Sequence, residues 1–315
     1  MTELFHICYS SHNEVLFRDS NDYLFARNSL ALSLYATNSK LICYALMSDH
    51  IHLMLLSDNP SAFMKVFRLS VTKHFNSRYF RKGRLGEKKI FCNTIVGVHH
   101  ATAVASYILR NPIHHGVCTT SFAYPFSSIN CYFTKDLHVK DILGIKQQDL
   151  LPETCRRIPR NYLPQNGKIP SHYKLTPQGI ILPESFVEIV IAENYFTTAR
   201  RFLYHLNRVS DEEWSREQEK DTLPFHEILP PITLETIENK RRYNISELLS
   251  NERGHFKPIE HDDMVICEYI DNKIVPRFRK KAYTQLTLEE KQSAAKELKS
   301  MFHIKDRQIK RCLAM

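Results

Sequence analysis

Along roughly the first 135 residues the hydrophobic positions switch between two periods. Residues 3–9 are a short β-prone run. Over 22–35 apolar residues recur at helical spacing, with Ser20 or Asn21 as the expected N-cap. The aliphatic runs 41–47 and 51–56 flank the turn-prone pair Ser48-Asp49 and read as two strands or one bent ribbon. Residues 61–79 return to helical spacing through Phe63, Val66, Phe67, Val71 and Phe75, and 89–98 are β-prone. Residues 102–109 predict a helix that stops at Asn111-Pro112, because a residue before proline is pushed out of the α region. The order β-α-β-β-α-β-α predicts an α+β sandwich on an antiparallel sheet.

Beyond residue 135 the pattern changes. Pro152, Pro159, Pro164, Pro170, Pro177 and Pro183 mark a linker or an irregular surface segment. Residues 184–207 read as helix, 211–221 carry six acids against two bases, and Pro224, Pro230 and Pro231 break the chain again. Residues 288–313 have a helix–turn–helix outline, with helix over 288–301, a turn at 303–305, and Asp306 as N-cap of 307–313. The expected division is 1–135, a linker and helical region over 136–272, and a basic C-terminal segment over 273–315.

Composition narrows the function classes. The 315 residues predict about two domains. With 43% hydrophobic and 24% charged residues the chain is ordinary globular protein. The net charge of +9 points to a polyanionic partner. Only 8 glycines argue against a glycine-rich nucleotide loop. Cys8, Cys43, Cys92, Cys118, Cys131, Cys155, Cys267 and Cys312 form no CxxC pair, so a Cys₄ zinc site fails on spacing, and they read as reduced cytosolic cysteines. The N-terminus lacks the layout of a signal peptide, and no apolar run approaches the roughly 20 residues that span a bilayer. The expectation is a protein of the cytoplasm or nucleoid with no membrane partner.

Two constellations carry chemistry. His50-Ile51-His52 opens a strand-like run, and period 2 places both imidazoles on one face, half of a divalent-metal site. Alone, the pair reads equally as polar residues on an edge strand. Tyr107 and Asn111 lie four apart and share a helix face. A tyrosine hydroxyl is a competent nucleophile beside a metal, and an Asn oxygen is a reasonable third ligand. Alone, they read as a buried tyrosine and a helix stop.

Taken together, the stretch 45–56 around His50-Ile51-His52, followed by Tyr107-Ile-Leu-Arg-Asn-Pro112 and Gly116, resembles the tyrosine-dependent HUH endonucleases. Within them it is most similar to the REP-associated tyrosine transposases and the related small insertion-sequence transposases. The basic stretch 76–83 and the Tyr-Pro-Phe-Ser-Ser at 124–128 follow in the same order. The resemblance covers residues 3–135. It implies a ferredoxin-like fold, His50, His52 and Asn111 holding Mg²⁺ or Mn²⁺, and Tyr107 attacking single-stranded DNA to leave a 5′-phosphotyrosine and a free 3′-OH. The expected substrate is hairpin or palindromic, and the site is built in one chain or across a homodimer. The chain departs from the pattern at Ser48-Asp49, where Pro-Asn or Pro-Glu is common, which loosens a turn but removes no ligand. His114-His115 reads as phosphate-contacting or surface residues, and His99-His100 as a helix-start feature.

Charge supports the nucleic-acid reading. Lys65, Arg68, Lys73, Arg78, Arg81, Lys82, Arg84, Lys88 and Lys89 face one acid, Glu87, with Phe75, Tyr79 and Phe80 interleaved. Between Lys273 and Arg311 twelve bases face four acids, and Arg307, Lys310 and Arg311 on the last helix are candidate DNA contacts. Two other readings stay open: a DNA-binding protein that keeps the fold without cutting, and a metal phosphodiesterase in which water attacks. With the motifs complete by residue 135, chemistry is not expected to need the tail.

Overall fold

The computed structural model describes residues 2–11, 13–138, 150, 160–164, 168–207 and 261–315. Pro152, Pro159, Cys155, the acidic stretch 211–221 and Pro224, Pro230 and Pro231 lie outside these residues.

The N-terminal part holds strand β1 (Glu3–Ser10), helix α1 (Ser20–Ala36), strands β2 (Lys40–Leu46) and β3 (His50–Ser57), helix α2 (Pro60–Arg78), strand β4 (Phe91–Thr94) and helix α3 (Gly97–His114). The sheet order is β2-β3-β1-β4, and every neighbouring pair is antiparallel. Strands β2 and β3 are near-continuous apolar runs buried on both faces. Tyr9 reaches α2, where the Arg68 guanidinium lies 4.5 Å over its ring, so the odd-numbered β1 residues face α1 and α2. The alternate face, carrying His6 and His52, meets α3.

Several boundaries differ from the sequence reading. The N-cap of α1 is Asp19, whose side chain accepts from the Asp22 amide at 3.0 Å. Strand β4 spans four residues, shorter than the β-prone run. Helix α3 starts earlier and runs through Pro112, because Gly116 ends it. Gly116, at φ 69°, donates to Ile113 O, and Val117 donates to Pro112 O, the paired bonds of a Schellman motif. Pro112 has no N–H, so α3 forfeits one backbone bond there.

The outer edge of β2 is covered. Leu46 N–H donates to Phe126 O at 2.9 Å, Tyr124 and Tyr132 hydroxyls donate to Leu46 O and Ile42 O at 2.6 Å each, and Glu188 N–H donates to Leu41 O. The Tyr-Pro-Phe-Ser-Ser stretch is thus an edge cover. The expected helix over 184–207 is two helices, α4 (Ile189–Phe196) and α5 (Ala199–Leu206), broken at Thr197, with the Thr198 side chain capping the second. Within the expected linker region, Tyr162 and the stretch 179–181 are bound to α1. The buried Asn28 amide donates to Tyr162 O and Gly179 O and accepts from Ile181 N–H.

The C-terminal part comprises helix α6 (Asp263–Tyr269), helix α7 (Leu288–Phe302) and helix α8 (Asp306–Leu313). A π turn at Ile270–Ile274 extends α6 toward Pro276, whose missing N–H and bulky ring disfavour regular α spacing. Thr287 and Glu290 form a capping box on α7. Lys305, not Asp306, is the N-cap residue of α8, without a side-chain cap, and Asp306 pairs with Lys299. This part packs onto the sheet domain. Gln308, Ile309, Cys312 and Leu313 are buried, and the fully buried Arg18 donates to Cys312 O at 2.8 Å. No helix among the described residues is long and apolar enough to cross a membrane. Cys43, Cys131, Cys267 and Cys312 are buried, whereas Cys92 is exposed.

Candidate functional site

His50 and His52 open β3 and share a face, their rings 5.1 Å apart. The antiparallel register sets Ser10 opposite His50 and Cys8 opposite His52, which brings His6 diagonally onto His52. Helix α3 crosses this face one turn apart at Tyr107 and Asn111. His50 Nε2 meets Asn111 Oδ1 at 2.7 Å. Tyr107 Oη makes a long contact with His52 Nε2 at 3.4 Å. His52 Nδ1 lies 3.1 Å from His6 Nε2, and His50 Nδ1 lies 2.6 Å from Asp49 Oδ1. The four residues singled out in the sequence therefore meet in one place.

Burial governs the electrostatics. It pushes the Tyr107 phenol up to about 12, with Cys8 adding to the rise and a hydrogen bond from Asn111 opposing it. Desolvation, then the neighbouring His50 and His6, hold His52 well below the usual histidine range. Desolvation and then His100 bring His6 down to about 4. Both imidazoles are therefore neutral near pH 7. Burial raises Asp49, but His50 and Arg311 outweigh it and hold the carboxyl at about 2. An ionised Asp49 accepts from His50 Nδ1–H and so turns His50 Nε2 toward the Asn111 amide. A phenol donating to His52 Nε2 makes His52 Nδ1–H the donor to His6.

His50 Nε2 and Asn111 Oδ1 lie 2.7 Å apart, within hydrogen-bond distance. Two imidazoles and an amide oxygen are a donor set compatible with a divalent ion. Among the described residues no group of three or more His, Cys, Asp or Glu is arranged to hold a metal, so water or substrate would have to complete the coordination.

The basic residues divide into two groups. Lys65, Lys73, Lys82, Arg84, Lys88 and Lys89 are exposed, as are Arg307 and Lys310. Arg68, Arg78, Arg81 and Arg311, nominated with them as DNA contacts, are engaged within the fold. Arg68 donates to Glu87 O at 2.6 Å, and Arg78 pairs with Asp19 and Asp22. Arg81 pairs with Glu14, and Arg311 with Asp49 and Asp263. Helix α2 also lies on the sheet face opposite Tyr107, so its lysines are remote from the nucleophile. The 80–90 loop leads instead to β4, whose half-exposed Phe91 stands edge-on to His6 at 5.5 Å.

Sequence reasoning missed His6 and Asp49 as site residues and read His115 as a phosphate-contacting or surface residue. The His115 ring lies 4.7 Å from that of His50. His6 sits two residues before Cys8 on a predicted strand, but only the β1–β3 register brings it to the site. His100 does serve the helix start, its Nδ1 accepting from Val96 N–H at 3.3 Å. A cleft beside His50 is lined by Asp49, His115, His261, Lys305 and Arg307, joining the site to α8.

No family model matches the chain, and no curated protein matches it in sequence. Among solved structures, a REP-associated tyrosine transposase bound to a REP hairpin aligns at TM-score 0.36 with 14% identity, over 46% of this chain and 82% of that one. A likeness at that score carries no weight for the mechanism.

Proposed function

We propose that this protein is a metal-dependent tyrosine endonuclease and strand transferase for single-stranded DNA, of the REP-associated transposase type. The observation that carries the reading is the placement of Tyr107 Oη 3.4 Å from His52 Nε2, beside the His50–Asn111 pair. The β-α-β-β-α-β order with spatial order β2-β3-β1-β4 supports a ferredoxin-like arrangement. The motif resemblance over 3–135 supports the family and a hairpin or palindromic substrate.

His50, His52 and Asn111 would hold Mg²⁺ or Mn²⁺, which when bound neutralises the phosphodiester and favours the ionised phenol. Tyr107 Oη attacks phosphorus, the P–O3′ bond breaks, the 5′ end stays on the tyrosine, and the phenolic proton ends on the departing 3′ oxygen. The Asn111 hydrogen bond eases ionisation of a phenol that burial disfavours. Asp49 and His6 fix the ring orientations of His50 and His52. Exposed Lys82, Arg84, Lys88 and Lys89 supply phosphate contacts on the approach to Phe91.

Tyr107→Phe keeps the ring and removes the attacking oxygen. It is expected to fold and bind single-stranded DNA without forming a covalent adduct, seen as a shifted band after denaturing electrophoresis. A persistent adduct sinks the assignment. The raised Tyr107 pKa favours a second reading, attack by water, which would give cleaved DNA without adduct in the wild-type protein.

A further inference from the structure

We infer that helix α8 positions His50 through Asp49, making Arg311 a positioning residue for the site. The inference deepens the proposed reading and rests on it only for its catalytic consequence.

The geometry is a continuous polar chain. Arg311 Nη1 donates to Asp49 Oδ2 at 2.5 Å, Asp49 Oδ1 accepts from His50 Nδ1 at 2.6 Å, and His50 Nε2 faces Asn111 at 2.7 Å. The other Arg311 nitrogen, Nη2, pairs with Asp263 at 2.7 Å. Asp263 in turn accepts from Ser48 Oγ at 2.7 Å and from Gln308 Nε2 at 2.9 Å. Both residues of the Ser48-Asp49 turn are therefore bound by the C-terminal part, one through Asp263 and one through Arg311.

The backbone of the turn is held from the N-terminal side, by Ser11 N–H on Asp49 O and Leu16 N–H on Ser48 O, so what Arg311 holds is the Asp49 side chain. The turn contains neither proline nor glycine, and Asp49 spends one carboxylate oxygen on each neighbour. Without Arg311 the carboxylate is free to rotate, and the His50 ring loses the partner that fixes Nδ1–H and frees Nε2. A planar guanidinium spanning two carboxylates sets direction as well as charge, which a point charge does not. Partners at this remove from a functional imidazole typically alter activity about 10–100-fold when mutated.

The test is long-range proton–nitrogen NMR of the histidine rings, with the His50 signals assigned by His50→Gln, on the full chain carrying Arg311→Ala. The wild type is expected to show His50 as the Nδ1–H tautomer, and the variant a mixture of tautomers. Adduct formation should fall about tenfold or more in single turnover, with the Kd for single-stranded DNA unchanged. Arg311→Lys should shift the same resonances less and restore part of the rate; it also serves if the alanine variant does not fold. Leu313→Ala is the packing control, expected to lower Tm with the His50 signals unmoved. Unchanged His50 resonances in a folded Arg311 variant, or equal changes in Leu313→Ala, overturn the inference. A tautomer shift in a protein whose wild type forms no adduct would uphold the positioning role and sink the nuclease reading.

Discussion

Asp22 shows how a single carboxylate can order the junction of two helices. It is 2% exposed on α1 and gathers the Arg18 amide at 2.9 Å, Arg78 Nη1 at 2.7 Å, Tyr79 Oη at 2.9 Å and His74 Nε2 at 3.2 Å. Burial alone would raise its pKa, but the His74 hydrogen bond, Arg78 and the Arg18 amide together hold it below the usual aspartate value. Asp22→Asn keeps the shape and removes one of the two carboxylates, the other being Asp19, that face Arg78. The expected loss is about 1–3 kcal/mol in denaturant unfolding at pH 7. Because the folded pKa is depressed, this stabilisation is present above the unfolded value near ~3.9 and fades as pH falls through the folded pKa. The Tm difference between wild type and variant should therefore shrink below about pH 4; a constant gap down to pH 2 would refute the electrostatic account.

At the scale of elements, periodicity made the long amphipathic helices and the β2–β3 pair legible, because their apolar stripes face one core. Phe63, Phe67, Val71 and Phe75 are all buried on α2, as their spacing requires, whereas Val66 faces solvent. Boundaries set by single side-chain or backbone events were less legible, such as the Asp19 cap, the Gly116 stop and the break at Thr197. The basic stretch was legible as charge, but not as geometry. Arg68, Arg78 and Arg81 look the same in sequence as Lys82 and Arg84, yet internal acceptors and carboxylates take up the three. This division predicts two kinds of loss. Replacing Lys82, Arg84, Lys88 and Lys89 together by Gln should weaken single-stranded DNA binding and flatten its salt dependence, with Tm near that of wild type. Arg78→Gln should instead lower Tm and leave the salt slope unchanged. Fluorescence anisotropy across a salt series, with melting curves on the same samples, separates the two; an unchanged slope in the fourfold variant would show that the loop does not meet the phosphates.

At the scale of the molecule, the C-terminal part looks dispensable in sequence, being cationic and separated from the motifs by more than a hundred residues. Its attachment depends on polar burial, which charge counting cannot reveal. Arg18 is fully buried between the two parts, bonded to Asp271 at 2.8 Å and 2.9 Å and to Cys312 O, with its guanidinium 3.6 Å over the Tyr283 ring. Thr284 Oγ1 donates to Tyr79 O at 2.6 Å, and Leu298, Ile309, Cys312 and Leu313 are buried. Removing residues 273–315 would strip Tyr283 and the Cys312 carbonyl from Arg18, leave Asp49 without Arg311, and expose the apolar side of α6 at Ile266 and Ile270. Each loss belongs to a class that costs more than 1 kcal/mol, against a whole-protein stability of about 5–15 kcal/mol. The truncated chain is expected to melt well below the full chain and to lose adduct formation even on a short oligonucleotide that the tail could not reach. Melting temperature and short-oligonucleotide cleavage measured on one truncated sample decide the matter. Full cleavage at an unchanged melting temperature would mean that the tail is an independent DNA-holding module and that Arg18 finds equivalent partners without it.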